Sequence, residues 1–184
     1  CTDHYILEQS LQYESGGLMP VTQTTIADSG AQMRSKVEAV LGLIAQNAER
    51  AESDRRVPTE NIDALRDAGF FKALQPVKFG GTPMGAEDYT PAVVAVATAC
   101  ASTAWASGLL AQHSHIIAMM SPELQEEIWG DDNDALVSSS VAAINSGTEV
   151  PGGVRINGNW GWSSGCDHAK WAVLGFRRAV PELD

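Results

Sequence analysis

The apolar residues of this chain change period once, near Asp134, and that change limits the fold more than any other feature. Before it they recur with helical spacing; after it they alternate. Met33, Val37, Val40, Leu41, Ile44 and Ala48 form one helical stripe, predicting a first helix over about Ala31–Asp54, stopped before Val57-Pro58. "PTENIDALRDAGFF" reads as a short second helix, with Pro58 and Thr59 at its start and Gly69 at its end. "LQPVKFGGTPMG" is loop, punctuated by Pro76, Gly80, Gly81 and Pro83. Tyr89, Val93, Val96 and Cys100 mark a third helix. Ser102 is the expected cap of a fourth, running to Met120, and Ser121-Pro122-Glu123 opens a fifth that ends near Gly130.

Beyond Asp134, "ALVSSSVAAI" and "KWAVLGF" have the alternation of strands, and Asn157-Gly158 stands between two alternating runs as a hairpin signal. The expected class is therefore α+β: a leader over residues 1–30, a helical domain over 31–133, and the first part of an antiparallel β-domain over 134–184.

Charge and cysteine usage exclude several partners. The 184 residues carry 23 acidic and 12 basic side chains, a net charge of -11, which would repel a phosphate polymer. Nucleic acid is not an expected partner. The longest apolar region, Pro91–Met120, is broken by Ser102, Ser107, Gln112, His113 and His115, so no membrane span is expected. Cys1, Cys100 and Cys166 are odd in number and far apart, which points to a reducing, cytoplasmic setting. The opening stretch lacks both periodicity and the pattern of a signal peptide. Met19 reads as a natural start, and "WAVLGFRRAVPELD" lacks a closing element, so a fragment cut at both sides is expected.

Three short motifs carry polar chemistry. In "HSH", His113 and His115 lie in a helical run, where two residues turn about 200° around the axis, so they cannot share a metal ion. Trp105, Leu109, Gln112 and Ile116 line one face of that helix, with His113 at its edge. Taken alone, His113 reads more readily as a packed histidine bonded to a carbonyl than as a reacting group. In "VSSSV", Ser139 points with Val137 and Val141, while Ser138 and Ser140 point the other way. They suit a solvent-facing edge strand or a buried strand whose hydroxyls need partners. In "WSSGCDH", Trp160, Trp162 and Ser164 should share one strand face. There is no nucleophile elbow for a serine triad, no spaced second pair for zinc, and no glycine-rich phosphate loop. What remains is a shelf for a planar ring, an aromatic face flanked by hydroxyls.

These motifs in combination resemble a known family. "LQEEIWGDDNDALVSSSVAA" and "GNWGWSSGCDHAKWAVLGF" are similar to flavin-dependent monooxygenases built on the acyl-CoA dehydrogenase fold. "RRVPTENIDALRDAGFFKALQP" and "ACASTAWASGLLAQHSHIIAM" bring the resemblance closest to oxygenase components of two-component 4-hydroxyphenylacetate 3-hydroxylases, with the steroid-ring phenol hydroxylases a near second. The resemblance spans about Val37–Phe176. It implies non-covalent reduced FMN, with FAD as the alternative, made by a separate NAD(P)H-dependent flavin reductase. It further implies dioxygen as co-substrate, a C4a-hydroperoxyflavin, and ortho-hydroxylation of a small phenol such as 4-hydroxyphenylacetate.

On this resemblance Trp105 and Trp162 would wall the flavin ring, and Ser164 would stand at flavin N5. Ser138, Ser139, Ser140 and Ser163 would contact the cofactor, and His113 with Ser139 would hold the phenol oxygen. Cys166 and Asp167 are expected to be structural, a small buried thiol and a turn-capping carboxylate. The family continues into a C-terminal four-helix bundle, which this chain does not include, and forms homotetramers. One departure matters: the dehydrogenases continue their serine strand as Thr-Glu-Pro and Gly-Ser-Asp, whereas this chain reads "SSSVAAINSG". That weakens an acyl-CoA dehydrogenase-like activity as the alternative. A non-catalytic fragment is the other.

Overall fold

The computed structural model describes residues 23–82 and 84–178. Cys1, Met19, Pro83 and the last six residues lie outside that range, as does most of the expected leader. Among the described residues six α-helices come first: α1 (Gln23–Gln46), α2 (Ala48–Ser53), α3 (Thr59–Asp67), α4 (Ala86–Ala99), α5 (Ala101–Ala118) and α6 (Pro122–Trp129). Five short strands follow: β1 (Val137–Ser140), β2 (Ser146–Val150), β3 (Gly153–Ile156), β4 (Trp171–Leu174) and β5 (Arg177–Arg178). The helix start moves from the expected Ala31 back to Gln23, and the expected single helix to Asp54 breaks at Asn47.

Packing centres on α5, which touches α4, α2, α3 and β1. Its buried face is mostly small: Ala104, Ala106, Ser107, Ala111 and Ser114 let neighbours approach closely, while Leu110 and Ile117 fill the larger gaps. Met33, Val37 and Ile44 of α1 join Ile62, Leu65, Phe70, Val96 and Leu110 in the main core. Through that core runs a polar link absent from the sequence reading. Asn61, fully buried, accepts from Asn47 Nδ2 at 2.7 Å and donates to Thr103 Oγ1 at 3.1 Å, tying α3 to α5. A second cluster of Phe79, Ile117, Ile128, Trp129 and Val137 fastens β1 to the helices. There the Trp129 indole N–H donates to the Ala135 carbonyl at 3.2 Å.

Two helix starts follow the same capping physics through different residues. Ser121 caps α6 as expected, its Oγ accepting from Leu124 N. For α5 the cap is Cys100, not Ser102. Cys100 holds the last extended backbone (φ −158°, ψ 110°) and its Sγ accepts from Thr103 N at 3.4 Å, so Ser102 is already inside the helix.

The sheet departs from the antiparallel expectation. β1 pairs with β4 in parallel, with Val137 opposite Trp171 and Ser140 opposite Leu174. β2 pairs antiparallel with β3 and parallel with β5. The hairpin turns at Pro151-Gly152, where proline suits the first corner and Gly152 takes φ 85°. Asn157-Gly158 makes no hairpin. A Cβ on Gly158 would lie 2.3 Å from Asn145 Cγ, so this stretch packs against the β1–β2 connection instead. Residues 159–163 consequently form no strand, and the expected shared face of Trp160, Trp162 and Ser164 does not exist.

Candidate functional site

The site forms where α5, β1 and the loop 161–165 meet. β1 follows α6 directly, and the α6–β1 core places the strand beside the last turns of α5. His113 is 5 % exposed there. Its Nδ1 lies 2.7 Å from the Val137 carbonyl, and its Nε2 lies 2.8 Å from Ser139 Oγ. A carbonyl only accepts, so Nδ1 carries the proton. In the neutral ring Nε2 then offers a lone pair to the Ser139 hydroxyl. Both readings of His113 thus meet in one residue, bonded to a carbonyl by one nitrogen and facing a polar hollow with the other. His115 is exposed on another side of α5.

Burial lowers the pKa of His113 below the usual 6.5, and the bond to Val137 opposes that shift only in part. The unfolded chain therefore takes up this proton more readily than the folded one, so stability rises with pH through that range. Acidification from pH 7.5 to 5.5 is expected to lower the thermal midpoint, with the loss beginning as pH falls through about 6.5. His113→Asn should remove that increment from the pH profile of the midpoint.

The three serines of β1 divide by strand alternation. Ser139 faces His113. Ser138 and Ser140 face the loop: Ser140 Oγ donates to the Gly161 carbonyl at 2.6 Å, and Ser138 Oγ accepts from Ser163 Oγ at 3.1 Å while donating to the Trp171 carbonyl at 3.4 Å. Ser138 and Ser163 thereby satisfy one another behind the site, holding the loop on β1. Gly165 completes the attachment. At φ 80° its missing side chain faces α5, where a Cβ would sit 2.8 Å from Leu110 Cγ.

The loop so pinned carries Trp162 and Ser164. A hollow of about 220 Å³ is lined by His113, Ser139, Ser140, Gly161, Trp162 and Ser164, among others. Trp162 has φ 63°, a left-handed backbone uncommon outside glycine, and its indole is 99 % exposed at the rim. Trp105, 67 % exposed, donates its indole N–H to Ser164 Oγ at 3.0 Å. Five of the expected site residues therefore share one hollow, with Trp105 tethered to its edge; Ser138 and Ser163 stand one layer behind.

Two expectations for the rest of "WSSGCDH" are corrected. Cys166 is exposed, at the start of the short 3-10 turn Cys166–His168, which buries none of its residues. Asp167 caps no turn; its carboxylate faces Arg56 Nε at 3.8 Å across the cleft to the helices. Beside it, His168 Nε2 donates to the Val57 carbonyl at 2.9 Å. This pair of links across 111 residues gave no local signal in the sequence. Among the described residues no group of three or more histidine, cysteine or acidic side chains could hold a metal ion, and no helix is long and apolar enough to cross a membrane.

Residues 28–130 match the model of the acyl-CoA dehydrogenase N-terminal domain, and the chain belongs to that family. The expected acyl-CoA dehydrogenase-like helical domain, followed by strands, is the fold observed. Over 150 residues the chain is 51% identical to the oxygenase component of p-hydroxyphenylacetate 3-hydroxylase from Acinetobacter baumannii, covering 82% of this chain and 36% of that protein. It is 42% identical over 140 residues to the oxygenase subunit HsaA of a flavin-dependent monooxygenase from Rhodococcus jostii (strain RHA1), covering 76% of this chain and 37% of that one. Among solved structures, 3-HSA hydroxylase from Rhodococcus sp. RHA1 superposes with a TM-score of 0.78 at 40% identity, covering 81% of this chain and 38% of that one. The chain thus spans little more than a third of the length of these relatives.

Proposed function

We propose that this chain forms the flavin- and phenol-facing part of the oxygenase component of a two-component monooxygenase, hydroxylating a small phenol such as 4-hydroxyphenylacetate ortho to its hydroxyl. The observation that carries this reading is Trp162. An indole held wholly in solvent by a left-handed backbone, at the rim of a hollow lined by three hydroxyls and an imidazole, is a costly arrangement for a merely structural residue. It suits a planar ring with polar edges, which stacks on the indole and meets the hydroxyls. The relatives named above, described as oxygenase components of flavin-dependent enzymes, support the same choice of ring.

The residues present fit reduced flavin on this test. Trp162 would stack on the ring, Trp105 would shield its side, Ser164 would bond its edge, and Ser139 and Ser140 line the same hollow. Bound reduced flavin supplies the electrons that activate dioxygen. His113, neutral in its buried position, offers the Nε2 lone pair to a phenol hydroxyl, and taking up that proton at Nε2 raises electron density at the ortho carbon. Ser139, whose hydroxyl donates to Nε2 at 2.8 Å, gives up that lone pair to the phenol and turns its own proton to the same oxygen. Trp105 and Trp162 restrict water around the reacting groups. FMN is the preferred form, supplied by a separate NAD(P)H-dependent reductase. A homo-oligomer in the cytoplasm completes the proposal.

Anaerobic titration of the chain with reduced FMN tests this reading. Saturable binding is expected, weakened about tenfold by Trp162→Ala through loss of one stacking face. A chain that takes up no reduced flavin, or binds it equally well without Trp162, overturns the reading.

A further inference from the structure

Trp160 does not line the hollow, yet its side chain closes a polar circuit next to Trp162. Its indole N–H donates to the Gly175 carbonyl, just beyond β4, at 2.7 Å. Gly175 N–H donates to the Ser140 carbonyl at the end of β1 at 2.9 Å, and Ser140 Oγ donates to the Gly161 carbonyl at 2.6 Å. Two consecutive loop residues are thus bonded to the ends of the two paired strands. Gly175 has to be bare for this, since a Cβ there would lie 2.2 Å from the Val141 carbonyl oxygen. Packing does not wedge the loop at the same point: a Cβ on Gly161 would meet nothing within 4 Å. Hydrogen bonds therefore fix the residues that lead into Trp162.

Trp162 has reason to relax if they are lost. Its φ of 63° is disfavoured for a residue with a Cβ, and its exposed indole has no packing to hold it. The penalty of such a backbone and the net worth of one hydrogen bond are of similar size, so losing one bond is enough to change the balance. On the far side Ser163 is tied to Ser138, so release at Trp160 frees the approach to Trp162 while the rest of the loop stays on β1. We infer that Trp160 is a positioning residue: by its bond to Gly175 it keeps the left-handed turn at Trp162 that presents the Trp162 indole to a ring in the hollow. That the ring is a reduced flavin rests on the proposed function; the tether does not.

Two measurements separate these claims. In the ligand-free chain labelled with 15N at tryptophan, the backbone amides of Trp162 and of the buried Trp129 are identified by their loss in the matching phenylalanine variants. The heteronuclear Overhauser effect, which reports motion on the picosecond-to-nanosecond scale, should be as high for Trp162 as for Trp129 in the parent. Trp160→Phe keeps a ring but loses the N–H; it should lower the value at Trp162 and leave that at Trp129 unchanged. A Trp162 amide as rigid in Trp160→Phe as in the parent, or already mobile in the parent, overturns the tether. In anaerobic titrations with reduced FMN, Trp160→Phe should weaken binding about three- to tenfold, the span of one hydrogen bond. In a Trp162→Ala background the same change should cause no further loss. Unchanged binding in Trp160→Phe, or losses that multiply in the double variant, overturn the positioning role while leaving the flavin reading intact. A parent chain that binds no reduced FMN overturns the flavin reading instead, and the Trp162 amide still decides the tether.

Discussion

On the function proposed above, replacing His113 with alanine is expected to lower the yield of hydroxylated phenol by about a hundredfold or more, the range for removing a positioned acid–base group. The assay supplies reduced FMN anaerobically, mixes with oxygen and phenol, and measures hydroxylated product against hydrogen peroxide. Product should fall and peroxide rise, because the electrons still reach oxygen while the phenol lacks a group to take its proton. The same change leaves the Val137 carbonyl and the Ser139 hydroxyl without their imidazole partner. A stability loss of about 1–3 kcal/mol should accompany it, the cost of leaving a buried polar group unsatisfied. His113→Asn separates the two effects, since a carboxamide can keep a hydrogen bond to a neighbour but cannot accept a proton near neutral pH. An alanine variant that hydroxylates as the parent does would remove His113 from the reaction.

Gly165→Ala should be the most damaging of three glycine substitutions that look alike in backbone terms. Gly69, Gly152 and Gly165 all have φ near 80°, and any other residue there costs about 1–2 kcal/mol. A Cβ at Gly69 or Gly152 meets nothing within 4 Å. At Gly165 it would approach Leu110 Cγ and Cδ1 to 2.8 and 2.9 Å. Leu110 is fully buried in the main core, so it has little room to yield. That overlap adds about 1–3 kcal/mol, the usual cost of overpacking. Urea unfolding should therefore rank Gly165→Ala well below the other two. Leu110→Ala should recover part of the steric loss in the double variant, although it opens a cavity of its own. Because Ser164 precedes Gly165, reduced FMN binding should weaken in Gly165→Ala as well. Equal stabilities for the three variants would show that the loop is not seated on α5.

The helical part was legible because its signals are local. The Met33–Ile44 stripe, the Pro58–Thr59 start, the turn at Gly69 and the Ser121-Pro122 cap each act within a few residues. Cys100 escaped notice because sulfur is a weak acceptor and the serine two residues on looked the better cap. The β-region was read less well. Alternation shows that a segment can be a strand but not which strand it joins, so the parallel pairing of β1 with β4 had no local mark. Asn157-Gly158 misled for a related reason: the residues after it are held by the side chains of Asn145, on the Asn159 carbonyl, and Ser140, on the Gly161 carbonyl, rather than by a partner strand.

For the site, the residue types carried more than the geometry did. His113, Ser139 and Ser164 were identifiable as candidates, and the resemblance gave them roles. The left-handed backbone of Trp162, the Asn61–Thr103 link and the Trp105–Ser164 bond depend on distant contacts. The bond of Ser163 to Ser138, also between residues distant in sequence, is what makes these two serines hold the loop instead of lining the hollow.

The most direct test of the central claim is a crystal structure of this chain grown and frozen anaerobically with reduced FMN. The account predicts the isoalloxazine lying against the Trp162 indole, with Ser164 Oγ within hydrogen-bond distance of its edge and His113 Nε2 facing the open side. Flavin density seated elsewhere, for instance in a groove between α4 and α5 lined by Tyr89, Val93, Ala104 and Leu109, with the His113–Ser139–Ser164 hollow empty, would contradict it.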